Sequence, residues 1–303
     1  MPRYNAGAGN DRMKKEHPMI TVNLTTTCQR LSLCKITLMS LCLQSRQPDE
    51  IRLWVSPEPY LRDGGIRQKK QLHHYFNDLP ADWRQRSKVC WVTNTGPYRK
   101  LIPALRDAGP DDLLITADDD IIYGENWFKT LLQAYERGSN VAIAGRVRKK
   151  RYNAFGRTMS YLNWDILHES SVISEGYIIT FGGGTVLSRS MFRERDIFDD
   201  AFLKVAPTAD DLWYSKLLLR NDTRVRVVPG VLRQMNFIEH TDGLVNHNHP
   251  GQAALLRKIG LRLWEWTAGY LGLPVCGNDR AYQKVEQYFR KLADKQIAPG
   301  QTV

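Results

Sequence analysis

The stretch "DDLLITADDDIIYGENWF", residues 111–128, decides how the chain is read. Its apolar start, Leu113-Leu114-Ile115, has the length and flanks of a buried strand. The strand runs through Thr116-Ala117 into three adjacent carboxylates, Asp118, Asp119 and Asp120, and an apolar pair, Ile121-Ile122, follows. Packed like charges repel and raise one another's pKa unless a cation neutralises them. Mg2+ takes one or two carboxylates, several waters and substrate diphosphate oxygens, and Mn2+ accepts the same hard ligands. A strand ending in Asp-x-Asp therefore suits a metal that bridges protein to pyrophosphate. A helix cap or a solvated turn competes with that reading, and the triplet alone does not separate them.

Around this stretch the periodicity alternates. Strand patterns at 19–24, 51–56, 88–93, 112–117 and 140–145 alternate with helix patterns at 31–45, 67–78, 98–108 and 125–137. Such alternation predicts an α/β fold, an open and mostly parallel sheet flanked by helices. Ligands of such sheets bind beyond the carboxyl ends of the strands, where the acidic triplet falls. After residue 145 the pattern changes. "EGYIITFGGGTVLS" (175–188) joins a β-rich run to three glycines, 207–220 reads as a helix and 223–230 as a strand. From about 251 the chain reads as helical, broken near Gly272-Leu273-Pro274. The expected organisation is a loose arm over 1–17, a catalytic domain over 18–240 and a helical C-terminal region over 241–303.

The chain has 303 residues, 42% of them hydrophobic, enough for a sizeable core. No apolar run is long enough for a membrane-spanning helix, and the polar start carries no apolar leader segment. Five cysteines in no ligand-like spacing fit reduced thiols, so the cytoplasm is the expected compartment. The net charge of +11 favours anionic partners: nucleic acid, an anionic membrane or phosphate-bearing substrates. No nucleic-acid-binding signature accompanies it, so nucleic acid is not expected.

A second acidic pair, Asp210-Asp211, opens an apolar helix far downstream. Acids favour helix starts, which is the plainer explanation. A transferase that attacks with a hydroxyl also needs a carboxylate base. Between the two acidic sites, Gly182-Gly183-Gly184 permits close backbone approach to a ligand.

In this order the pieces resemble bacterial GT-A glycosyltransferases related to family 2, of the surface-polysaccharide type (lipopolysaccharide or capsule). The resemblance covers about residues 18–230, through "MITVNLTTTCQRL", "LMSLCLQSRQPDEIRLWVS", "GPYRKLIPAL", "ITADDDIIYGENW", "GGGTVLS" and "PTADDLW". It implies a nucleotide-sugar donor, expected to be a UDP-sugar, and Mn2+ or Mg2+. On matching positions, Asp118 would face the ribose and share the metal, Asp120 would bind the metal, and Asp119 would assist. Thr25 and Arg30 would lie in the donor loop, Lys100 would reach the nucleotide, and Arg146 would sit near the sugar or diphosphate. Asp211 would be the general base, supported by Asp210, in a single inverting displacement onto a glycan or lipid-linked acceptor. Relatives carry an aromatic residue in the first donor loop, where this chain has Thr25-Thr26-Thr27.

"VNHNHPGQ" (245–252) holds His247 and His249, which could complete a metal site as such enzymes do from their C-terminal region; a polar loop is the preferred reading. "IGLRLWEWTAGYLGLP" (259–274) reads as core, or as a helix lying on a membrane, which would place the protein at the inner face of the cell membrane. A sugar nucleotidyltransferase shares the strand-end acids, but would want a glycine-rich basic loop after the first strand. A non-catalytic basic binding protein would have no use for two separated acidic pairs.

Overall fold

The computed structural model describes residues 17–67, 69–238 and 264–297. Nearly all of the expected N-terminal arm, and the stretch 245–252 with His247 and His249, lie outside the described residues.

The first half follows the alternation in the sequence. Strands β1 (Ile20–Thr25), β2 (Glu50–Val55), β3 (Ser87–Trp91) and β4 (Leu113–Thr116) are separated by helices α1 (Leu31–Cys42), α2 (Lys69–Asn77), α3 (Ala81–Arg86) and α4 (Ile102–Asp107). Next come β5 (Ile121–Tyr123), α5 (Trp127–Gln133), β6 (Val141–Ala144) and β7 (Val147–Lys149). Short strands β8 (Asp165–Ile166), β9 (Ser171–Ile173) and β10 (Tyr177–Ile179) precede β11 (Thr185–Ser188). Helices α6 (Glu194–Ile197), α7 (Phe202–Val205) and α8 (Asp210–Arg220) lead to β12 (Arg224–Val227) and β13 (Met235–Phe237). Residues 264–270 form α9, and α10 spans Gly277–Ile297.

Eight strands form one sheet in the order β3-β2-β1-β4-β11-β6-β12-β9. Neighbours pair in parallel except where β11 meets β4 and β6, and where β9 meets β12. The fold is thus the mixed α/β class that the alternation predicts, a large and mostly parallel sheet flanked by helices. Successive strand residues point to opposite faces, and this builds two cores. Leu114, Ala142, Ala144 and Leu187 pack with α4, α8 and α10, while Ile115, Ile143 and Val186 pack with α1, α3 and α5.

One expectation needs correction. The helix expected over 98–108 is a 3-10 turn over Gly96–Lys100 followed by α4. Pro97 and Pro103 cannot donate backbone hydrogen bonds, so one continuous helix does not form. Between the acidic triplet and the expected helix, Ile121–Tyr123 forms a strand, not assigned from the sequence, that pairs with β13. Helix α1 holds that strand with a polar row. Thr37 Oγ1 donates to the Ile121 carbonyl at 2.9 Å, and Ser40 Oγ accepts from the Tyr123 N–H at 3.1 Å.

The C-terminal helix joins the core. Val285 and Phe289 of α10 are buried with Trp213 of α8, and the Trp213 and Phe289 rings lie 4.9 Å apart. Each such side chain contributes roughly 1.5–3 kcal/mol on burial. At the start of α10, the Asp279 carboxylate accepts from Ser160 Oγ at 2.8 Å and from the Tyr161, Val275 and Cys276 N–H groups.

Candidate active site

The order β2-β1-β4 places the next strand on opposite sides of β1, a topological switch point. Ligands of open α/β sheets bind in the crevice outside the strand carboxyl ends at such a point. The carboxyl end of β1 delivers Thr26 and Arg30, and that of β4 delivers Asp118, Asp119 and Asp120.

The triplet divides by direction. Asp119 is buried and turned inward; Thr26 Oγ1 donates to its Oδ2 at 2.6 Å, and Arg30 pairs with its Oδ1. Asp118 and Asp120 are partly exposed, 35% and 25% at the side chain, so this pair faces the cleft. Arg30 Nη2 also lies 2.7 Å from Asp120 Oδ2. The Tyr123 hydroxyl accepts from the Asp118 N–H at 2.8 Å and closes the turn. Burial pushes the Asp119 carboxyl up to about 7, against the opposing pull of Arg30 and Thr26.

Lys100 joins the two acidic sites. Its buried ammonium is 3.0 Å from Asp118 Oδ1 and 3.5 Å from Asp210 Oδ2. Burial alone would lower its pKa, but Asp118, Asp210 and Asp211 outweigh burial and hold it raised. Asp211 Oδ1 accepts from the Phe181 N–H at 3.0 Å. Burial, then the neighbouring Asp210 charge, raises the Asp211 carboxyl to about 7, with Lys100 and the Phe181 N–H opposing. Asp210 is raised by burial against the Lys100 charge.

The glycine turn belongs to this cluster. A Cβ on Gly182 would lie 2.1 Å from Asp118 Oδ2, so the bare backbone makes room for that carboxylate. Gly184 sits at φ 83°, a left-handed conformation that glycine takes without steric cost. Arg146, just past β6, lies against the turn: a Cβ on Gly183 would stand 2.6 Å from Arg146 Cβ, and the Arg146 carbonyl accepts from the Thr180 N–H at 2.9 Å.

Of the residues singled out from sequence, Arg30, Lys100, Asp118, Asp119, Asp120, Asp210 and Asp211 converge, with Arg146 beside the glycine turn. The Thr25 hydroxyl instead donates to the Trp54 carbonyl at 2.8 Å, within the β1–β2 pair. Its neighbour Thr26 makes the contact to the acids. Arg99 and Asp63 also went unread. Arg99 is buried, pairs with Asp63 at 2.8 Å and donates to the Thr26 carbonyl at 3.2 Å. The adjacent cations in "PYRK", at a strand's carboxyl end, were the available signal.

Among the described residues, no three His, Cys, Asp or Glu side chains converge to cage a metal. A Mg2+-type site needs only one or two carboxylates when substrate phosphates complete the shell. Asp118 and Asp120, separated by Asp119 and both partly exposed, fit that requirement.

No protein-family description matches this chain, and no curated protein matches it. Among solved structures, a 4-diphosphocytidyl-2C-methyl-D-erythritol synthase from Anaerococcus prevotii DSM 20548 is similar over 70% of this chain and 86% of its own, at 13% identity and a TM-score of 0.44. GalNAc-T7, solved with UDP, GalNAc and Mn2+, is similar over 91% of this chain at 12% identity and a TM-score of 0.49. The chain spans 57% of the length of that protein. A second 4-diphosphocytidyl-2C-methyl-D-erythritol synthase is similar over 60% of this chain and 79% of its own, at 10% identity and a TM-score of 0.37.

Proposed function

We propose that this chain is an inverting, divalent-metal-dependent glycosyltransferase of the GT-A kind. It moves a sugar from a nucleotide-sugar donor, a UDP-sugar by expectation, to a saccharide or lipid-linked hydroxyl in bacterial surface-polysaccharide synthesis. In this reading the catalytic domain is 18–240 and the helical region 241–303, and the protein works at the inner face of the membrane. One observation carries the reading: Lys100 holds two acidic sites from distant parts of the chain together, at the sheet's switch point. That cleft is rich in carboxylates although the protein is basic overall, which favours a cation-bridged diphosphate over a bare polyanion.

Asp118 and Asp120 would hold the metal, which when bound stabilises the departing diphosphate as a Lewis acid. Arg30 would lie in the donor loop and Lys100 would reach the nucleotide, and Asp119 holds Arg30 and Thr26. Asp211 takes the proton from the acceptor hydroxyl. Its Oδ1 is held by the Phe181 N–H, which leaves Oδ2 to receive that proton. A carboxyl raised by burial is a better matched base near neutral pH than an ordinary one. The glycine turn makes room for Asp118 and Arg146 in this cluster.

The test is a panel of nucleotide sugars with acceptor glycans, with and without Mn2+, scored for nucleoside diphosphate release. Metal-dependent release with sugar transfer is the expected result. Pyrophosphate release from a nucleoside triphosphate and a sugar phosphate, with no transfer from nucleotide sugars, would instead make the chain a nucleotidyltransferase.

A further inference from the structure

Away from the cleft, two segments form one surface. The Asn153 side-chain amide donates to the Tyr270 carbonyl at 2.9 Å, and the Ser160 N–H donates to the Gly269 carbonyl at 2.8 Å. Loop 151–157 and the helix-turn 264–273 are therefore fixed to each other. Together they leave Tyr152, Phe155, Trp264, Trp266, Leu271 and Leu273 exposed, Phe155 at 75% and Trp266 at 62%. Nothing lies within 4 Å of where a Cβ on Gly156 would stand, so the tip beside Phe155 projects clear of the body.

Trp264 and Trp266 are two residues apart on a helix and diverge, so it is Trp266, stacked near Tyr270, that adjoins the 151–157 loop. Exposed apolar patches of this kind mark interaction sites. The charge around them selects the partner. Lys149, Arg151 and Arg157 are exposed beside the patch. Residues 149–157 contain no acid, and 264–274 contain only Glu265. Arg151 lies 3.4 Å from exposed Asp165, which offsets one of these charges in part. Trp and Tyr rings with a polar edge, next to Lys and Arg, match the boundary between acyl chains and phosphate headgroups. Among the described residues no helix is long and apolar enough to cross a membrane.

We infer that the face built by loop 151–157 and the 264–273 helix-turn docks on an anionic lipid bilayer. Phe155 and Trp266, which Tyr270 links through its contacts to Ala154 and to the Trp266 ring, enter the headgroup region, and Lys149, Arg151 and Arg157 meet lipid phosphates. The inference gives a surface to the membrane location proposed above, and its vesicle test reads binding without reference to sugar transfer.

The test is co-sedimentation of the full chain with phosphatidylcholine vesicles, with and without phosphatidylglycerol, at low and high salt. Wild type should bind the anionic vesicles and weaken at high salt, because exposed charges are screened. The double variant Phe155→Ala/Trp266→Ala should partition about tenfold or more weakly, through lost apolar burial. Arg151→Gln and Arg157→Gln should each cost about fivefold. Leu43→Ala, an exposed apolar position at the end of α1, should bind as wild type does. All these positions are exposed, and circular dichroism checks that each variant is folded. Absence of wild-type binding to anionic vesicles overturns the inference, as does equal binding by the double variant. A wild-type dimer that the double variant abolishes, without vesicle binding, would assign the face to a second copy.

Discussion

Lys100 Nζ stands 3.5 Å from Asp210 Oδ2, and so ties the helix that opens with Asp210-Asp211 to the strand-end acids of β4. The ammonium is buried, and Asp118 shares it. Lys100→Met removes the common counter-charge and leaves the acids facing one another. Breaking a buried ion pair from one side costs about 3–5 kcal/mol. Guanidinium denaturation should show a loss of that size; a loss under about 0.5 kcal/mol would mean that water already screens the cluster.

The cleft-facing pair bears on the metal. Asp120→Asn would replace the proposed charged ligand with a neutral amide and also alter a partner of Arg30. Calorimetric titration of a nucleotide-sugar donor should show that the Mn2+-dependent part of the affinity disappears. Unchanged Mn2+-dependent affinity removes Asp120 from the ligands.

The glycine turn offers a steric test. In Gly182→Ala, the new methyl would fall 2.1 Å from Asp118 Oδ2 and push that carboxylate away from Lys100. Donor affinity should fall while the melting temperature changes little, because the short side chain can swing aside. Gly145→Ala meets a different obstacle, the Gly183 carbonyl oxygen at 2.3 Å. Backbone cannot swing aside, so this variant should lose stability, about 1–3 kcal/mol for an overpacked site. Equal melting temperatures for both variants would contradict the distinction.

Asp211 gives a pH dependence with a defined sign. Burial and the Asp210 charge raise its folded-state value to about 7, from the ordinary 3.8. A base must be deprotonated, so turnover should rise about tenfold per pH unit up to about 7 and then level off. Stability runs the other way. Between those two values the folded protein keeps a proton that the unfolded chain has lost, so this group's stabilisation is complete below 3.8 and is lost as pH rises through about 7. Asp211→Asn should remove both effects, seen as a pH-independent residual rate and a flatter melting-temperature profile than wild type. The Asn amide oxygen can accept from the Phe181 N–H as Oδ1 does, so the fold should survive. Wild-type turnover in Asp211→Asn would place the base elsewhere.

Much of this arrangement was legible in the chain. Long strands and helices leave a period that a window can register, so β1, β2, β4, α1 and α8 stand close to their expected places. The strands β5, β7, β8, β9 and β13 have two or three residues each, too few for any period. Their pairing depends on partners far along the chain, as when Ile121 meets Phe237. In the site, the charged residues were readable because charge at a strand end is conspicuous. Thr25 and Thr26 were not separable, since two adjacent threonines differ only in the face to which the strand turns them. Arg99 was passed over because its role depends on Asp63, and no local pattern joins the two.

The packing of α10 sets an order of events during synthesis. Trp213, Ser160 and Tyr161 leave the ribosome before Val285, Phe289 and Asp279, the residues that cover or hold them. Until α10 follows, a nascent chain presents the Trp213 face to solvent, the kind of surface that chaperones hold. A chain interrupted before residue 277 would lack the Phe289 ring that packs on Trp213 and the carboxylate that accepts from Ser160 and Tyr161.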